Sequence, residues 1–201
     1  MIAIVDYDAG NLKSVEKALI SLGEEVLITR DKEQLLHADK VILPGVGAFG
    51  EAMEKLHKYE LVDVLREIGK SEKPFLGICL GLQLMFESSE EAEGVEGLGI
   101  LEGEIVRIPD KEGLKIPHIG WNDLTLNPKS KLFHGLKDHS YVYFVHSYYL
   151  KAKHREEVAA TTEYSTLIDA AVEKGTTFAC QFHPEKSGDV GLHILRNFAN
   201  L

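Results

Sequence analysis

Cysteine is nearly absent from this 201-residue chain, occurring only at Cys79 and Cys180. Two are too few for a disulfide framework. Without a C-x-x-C pair they offer no structural zinc site either, so at least one invites a chemical explanation. Basic residues are also scarce: 22 Lys and Arg stand against 32 Asp and Glu, for a formal net charge of −10. The cations are scattered rather than gathered into a stripe, which argues against a nucleic-acid partner, since nothing would neutralise a row of phosphates. Long apolar runs are missing. The opening run Ile2-Ala3-Ile4-Val5 stops at Asp6, far short of a signal-peptide core or a membrane span, so the expectation is a cytoplasmic protein with no membrane contact. Internal repeats, low-complexity tracts and Pro/Ser-rich linkers are lacking as well.

What is present reads as an ordinary soluble globular protein, with 44% hydrophobic and 27% charged residues and a length that suits one domain over residues 1–201. Four short apolar runs, Ile2 to Val5, Glu25 to Ile28, Val41 to Leu43 and Phe75 to Ile78, alternate with helical patterns, the signature of βαβ units and a parallel sheet. Leu12, Val15, Ala18, Leu19 and Leu22 fall at helical spacing, and Gly23 follows where a helix C-terminus favours φ > 0. A second helix is predicted from about Glu51 to Ile68, with Met53, Leu56, Leu61, Val64, Leu65 and Ile68 as its apolar side. The second half reads as strands at Ile100 to Ile108, Tyr141 to Tyr149, Val158 to Thr162, Ile168 to Val172 and Thr177 to Phe182, followed by a helix near Val190 to Ala199. The sum is a three-layer α/β domain, a central mixed, mostly parallel sheet flanked by helices.

Gly77-Ile78-Cys79-Leu80-Gly81 joins an apolar strand to the helical pattern Leu82, Leu84, Met85, Phe86, a G-x-C-x-G counterpart of the G-x-S-x-G nucleophile elbow. A tight strand-to-helix turn strains the nucleophile's backbone and crowds its neighbours, which flanking glycines relieve. Placement at a helix N-terminus favours the thiolate, and the N–H of Leu80 can meet a developing oxyanion. A small buried hydrophobe at a strand end is the competing reading of Cys79; the glycine spacing and the strand-helix context favour the nucleophile. Cys180 alternates with Phe178 and Phe182 within a strand, the pattern of a packed core thiol.

A thiol nucleophile needs a base, and nine histidines are available. His37, His57, His134, His139 and His154 lie in polar surroundings, and His193 has no partner in sequence on the last helix. His183 ends an apolar strand and is followed by Pro184-Glu185. In extended chain residues i and i+2 share a face, so Glu185 would accept the Nδ1–H of His183 and leave Nε2 for the thiol. A turn histidine beside a surface glutamate is the alternative when these three residues are taken alone.

Gly77-Ile78-Cys79-Leu80-Gly81-Leu82-Gln83 together with His183-Pro184-Glu185 resembles the nucleophile and base motifs of the class I, triad-type glutamine amidotransferases, in that family's chain order and across essentially the whole chain. The stretches Asp6 to Leu12, Pro44 to Gly50 and Pro117-His118-Ile119-Gly120-Trp121-Asn122 resemble, within it, the glutaminase subunits of imidazole glycerol phosphate synthase, a histidine-biosynthesis enzyme. Asp8 departs from the pattern, where those subunits more often have Gly.

The resemblance implies a Cys79, His183, Glu185 triad and an oxyanion hole formed by the N–H groups of Leu80 and Val46. Gly45-Val46-Gly47 would lie over the nucleophile, where flanking glycines give the Val46 peptide room to flip. It further implies glutamine held against Gly45, Gln83, Glu91 and the Ser147-Tyr148 backbone. Glu91 also reads as part of a solvated acidic run with Glu87, Glu90 and Glu93. No metal or organic cofactor is implied. The implied partner is a (β/α)₈-barrel cyclase subunit that receives the ammonia, with Trp121, Asn122, Tyr143 and Lys186 near the contact. Trp121, the single tryptophan, reads nearly as well as a core or barrel-end aromatic. Competing functions are a glutaminase feeding another synthase, such as that for anthranilate, aminodeoxychorismate or the pyridoxal phosphate precursor, and a non-catalytic docking module.

Overall fold

A computed structural model describes residues 1–8 and 10–201; Ala9, in the Asp6 to Leu12 stretch, lies outside the described residues. The first half alternates strands and helices: β1 (Ile2–Val5), α1 (Leu12–Ser21), β2 (Val26–Thr29), α2 (Lys32–His37), β3 (Lys40–Gly45), α3 (Phe49–Lys58), α4 (Val62–Lys70), β4 (Phe75–Cys79) and α5 (Leu80–Leu84). The second half is strand-rich: β5 (Ser88–Ser89), β6 (Gly103–Arg107), β7 (His118–Asp123), β8 (Thr125–Leu126), β9 (Tyr141–His146), β10 (Tyr148–Ala152), β11 (Val158–Tyr164), β12 (Thr166–Lys174), β13 (Thr177–Cys180) and a closing helix, α6 (Gly188–Ala199).

The main sheet runs β2-β1-β3-β4-β13-β12-β10-β6-β5, with β11 pairing β12 and β8. It is parallel from β2 through β13 and antiparallel from β13 through β12 and β10 to β6. Helices cover both faces because the strands alternate. Ala3, Val5, Val41 and Leu43 point into a core with Leu35, Met53, Leu56, Leu65 and Leu82. Ile2, Ile4, Ile42 and Leu76 point into the other, with Val15, Leu19, Ile194, Leu195 and Phe198. Each of these large side chains contributes about 1.5–3 kcal/mol on burial, so α6 is held chiefly by its three apolar anchors. Among the described residues no helix is long and apolar enough to cross a membrane.

Several elements differ from the sequence reading for local reasons. The helix expected from Glu51 to Ile68 is two helices. α3 closes in a Schellman motif, in which Leu61 N–H donates to Leu56 O at 2.8 Å and Glu60 N–H to His57 O at 2.9 Å, with Glu60 at φ 52° where glycine is usual. Helix α2 lacks a long apolar pattern and was not expected; the Asp31 side chain caps it by accepting from Gln34 N–H. The strand expected from Ile100 begins only at Gly103, because Ile100 and Leu101 N–H both donate to Met85 O, at 2.9 and 3.0 Å. Those bonds also end α5 early. Tyr141 to Tyr149 is two strands rather than one: β9 pairs with β7 in a separate two-stranded sheet, Ser147 turns the chain, and β10 joins the main sheet. The only mark of the switch in the sequence is the polar pair His146-Ser147 within an otherwise apolar and aromatic run. β7, β5 and β8 were likewise not expected.

Candidate active site

Cys79 ends β4 at the C-terminal edge of the parallel strands, where α/β sheets place their ligands. Its backbone lies at φ 55°, ψ −108°, a conformation that costs an L-residue of order 1–3 kcal/mol and persists only where the surroundings enforce it. The enforcement comes from the flanking glycines. A Cβ on Gly81 would lie 1.7 Å from Leu43 O, and one on Gly77 would lie 2.9 Å from the backbone of Gly81 and Leu82. No side chain fits at Gly81, so β3 and the first turn of α5 come into backbone contact and the thiol is pushed out at the bend. Cys79 is 6% exposed and opens into a cavity of about 430 Å³.

His183 lies in the same cavity wall. Its backbone N–H donates to Tyr143 O at 3.0 Å, while Ser187 Oγ donates to His183 O at 2.6 Å and accepts from Tyr143 N–H at 2.9 Å. The extended His183-Pro184-Glu185 conformation expected from sequence is not what forms. Pro184 opens a turn of 3₁₀ helix over Pro184–Lys186, with proline at the position where its missing N–H costs nothing. The turn still brings Glu185 Oε1 to 2.7 Å from His183 Nδ1. The carboxylate accepts there, so Nδ1 carries the proton and Nε2 is the free position. Among the described residues His183 Nε2 and Glu185 Oε2 have no hydrogen-bond partner. Asn11 Nδ2 donates to the same Glu185 Oε1, fixing the carboxylate from behind. Burial opposes a charge on His183, yet closeness to Cys79 and Glu185 outweighs it and raises the ring's pKa to about 9.

The remaining walls are polar in an ordered way. Gln83 Nε2 donates to Tyr148 O at 3.2 Å and to Gln181 Oε1 at 3.1 Å. His146 Nδ1 donates to that same Tyr148 carbonyl at 2.8 Å, and its Nε2 lies 3.0 Å from His118 Nδ1. A carbonyl only accepts, so His146 must carry its proton on Nδ1, and its Nε2 accepts a hydrogen bond from His118 Nδ1–H. Burial keeps both rings neutral, with His146 lowered to about 3 and His118 to about 4. Glu91 is half-buried and accepts from Phe49 N–H at 2.8 Å, capping α3, so it is not a solvated loop residue.

Of the residues singled out from sequence, Cys79, Leu80, Val46, Gln83, Glu91, Ser147, Tyr148, His183 and Lys186 line one cavity. Glu185 stands behind His183. Gly45 lies behind the wall, against Tyr7 and Leu80. Trp121 and Tyr143 sit opposite each other in the β7–β9 register, with ring centroids 6.1 Å apart. Trp121 is 55% exposed, which settles against a core aromatic. Asn122, on the same small sheet, donates to Glu163 O of β11 in the main sheet at 3.0 Å. Cys180 is fully buried, and burial raises its thiol pKa.

A family model described as glutamine amidotransferase class-I matches residues 3–201. The chain belongs to the class I glutamine amidotransferases. Within that family it is 52% identical over 198 residues to the imidazole glycerol phosphate synthase subunit HisH of Bacillus cereus strain G9842, covering 98% of this chain and 93% of that protein. It is 50% identical over 198 residues, with coverages of 98% and 93%, to the proteins of the same name from Bacillus thuringiensis strain Al Hakam and Bacillus anthracis strain A0248. A solved glutamine amidotransferase superposes with a TM-score of 0.76 at 23% identity, over 99% of this chain and 100% of the other. A glutamine amidotransferase from Thermotoga maritima does so at 0.66 and 20%, over 99% and 82%. At these identities the structural likeness is one of fold.

The roles of four residues at this amidotransferase's site escape the sequence reading. Asn11 figures there only as part of a motif, because its reach to Glu185 spans 174 positions. His118 and His146 come together only through the β7–β9 register, which pairs them directly. Gln181 does carry a signal: an amide inside the apolar run Thr177 to Phe182 must find partners when buried.

Proposed function

We propose that this chain, acting as one domain in the cytoplasm, is the glutaminase subunit of an imidazole glycerol phosphate synthase. Cys79 thiolate attacks the side-chain carbonyl of glutamine, and the oxyanion is held by the N–H groups of Leu80 and Val46. His183, oriented by Glu185, protonates the departing ammonia and then activates water to hydrolyse the γ-glutamyl thioester. The free Oε1 of Gln83 and the carboxylate of Glu91 suit the donors of the substrate, and the Ser147-Tyr148 backbone its acceptors. Ammonia left in bulk water at neutral pH becomes ammonium, which is no nucleophile, so it passes to a (β/α)₈-barrel cyclase docked over Trp121, Asn122, Tyr143 and Lys186.

The observation that carries this reading is the strained Cys79 elbow sharing one cavity with the His183–Glu185 pair. Identity of 52% to a HisH protein supports the choice of synthase over others. The test is glutamine hydrolysis by this chain alone and with a cyclase partner, with and without the cyclase's nucleotide ligand. The expected result is stimulation in the complex and, for Cys79→Ala, a loss of at least about 10³-fold. Retention of hydrolysis by Cys79→Ala, or failure to bind or respond to the cyclase, overturns it.

A further inference from the structure

Gln181 is fully buried with its amide beside the nucleophile, and the triad chemistry above gives it no task. Its backbone is already committed, with N–H donating to Ala170 O at 2.8 Å. The side-chain amide is therefore free to serve the site, and its orientation can be deduced. Tyr148 O accepts only, so the atom of Gln83 that faces it must be the nitrogen. That nitrogen also faces Gln181, which must therefore present its oxygen. The amide nitrogen of Gln181 is then the end that faces Cys79, with Nε2 3.7 Å from Sγ. The opposite orientation would set two N–H groups against each other and a carbonyl lone pair against the sulfur.

We propose that Gln181 is a catalytic residue that donates an N–H to the Cys79 sulfur and so favours the thiolate, a role that rests on the glutaminase reading. The donor has a counterweight. Val145 O lies 4.0 Å from Sγ and accepts from the protonated thiol. The sulfur thus sits between one partner that favours S⁻ and one that favours S–H, and the closer is the donor. A hydrogen bond to a charged group buried from water is among the stronger kinds, because no solvent competes for it. Gln83 holds the amide in this orientation, so the residue expected to touch glutamine also sets the polarity at the nucleophile.

The test is the pH dependence of Cys79 alkylation by iodoacetamide in the full chain, followed on the Cys79 peptide by mass spectrometry so that Cys180 does not contribute. Gln181→Met removes the donor and the acceptor. Gln181→Asn keeps the amide but, one methylene shorter, draws its N–H away from the sulfur, and it decides the question if the Met variant does not fold. In both, the thiolate titration is expected to rise by about one pH unit or more, about tenfold less thiolate at neutral pH. In the cyclase complex, kcat for glutamine is expected to fall about tenfold with KM changed less than about twofold, the pattern of an interaction needed for the chemical step. An alkylation profile superimposable on that of the unmodified chain overturns the assignment, even if stability is reduced. Alkylation needs no glutamine, so an unmodified complex that does not hydrolyse glutamine defeats the glutaminase reading and not the sulfur–amide bond.

Discussion

Gly81 shows how a single missing atom shapes the site. With Leu43 O standing 1.7 Å from where a Cβ would lie, Gly81→Ala must push β3 and α5 apart. The expected cost is about 3 kcal/mol or more, measured as a fall in the urea midpoint, because the obstacle is backbone rather than a flexible side chain. The pressure of that contact was legible in the spacing of Gly77, Cys79 and Gly81. The pairing of His183 with Glu185 was legible too, though for a different backbone from the one expected. Partners such as Asn11, His146 and Gln181 were not, since nothing local links them to positions 28 to 174 residues away. Their roles depend on which carbonyls and amides meet across the cavity.

At the scale of elements the boundaries that went unseen are those where chemistry contradicts habit. Glu60 occupies a left-handed position at φ 52°, where an L-residue costs about 1–2 kcal/mol relative to an unstrained one. Replacing it by glycine removes that strain but gives up only the exposed, solvent-screened ion pair to Lys32 at 2.9 Å. Glu60→Gly is therefore expected to raise stability by roughly 0.5–1 kcal/mol in thermal or denaturant unfolding, the reverse of glycine's usual effect near a helix. The strand switch at Ser147 is a second case. Val142 and Phe144 pack in one core and Leu150 in the other, so a run interrupted only by His146-Ser147 changes sheet part-way along.

For the whole molecule, two buried histidines tie stability to pH. Below about pH 6.5 the unfolded chain binds protons at His118 and His146, while the folded chain keeps them neutral down to about 4 and 3. Unfolding takes up protons there, so stability rises with pH. His183 sets no matching limb of opposite sign, because its pKa is raised by its pairing with Cys79 and Glu185 and a proton passed between the two members of a Cys–His pair changes no proton count. Each of the two histidines contributes a slope of up to about 1.4 kcal/mol per pH unit in its own window. Denaturant midpoints taken from pH 4.5 to 7 are expected to rise with pH, with His146→Gln flattening the rise. The sequence alone determined the α/β class, the elbow and the base motif, because hydrophobic periodicity and glycine spacing are local properties. Only the tertiary structure decided which groups surround the thiol, how the amides of Gln83 and Gln181 must point, and where the sheets divide. Those follow from register and from the demand that every buried donor find an acceptor, conditions met between segments far apart in the chain.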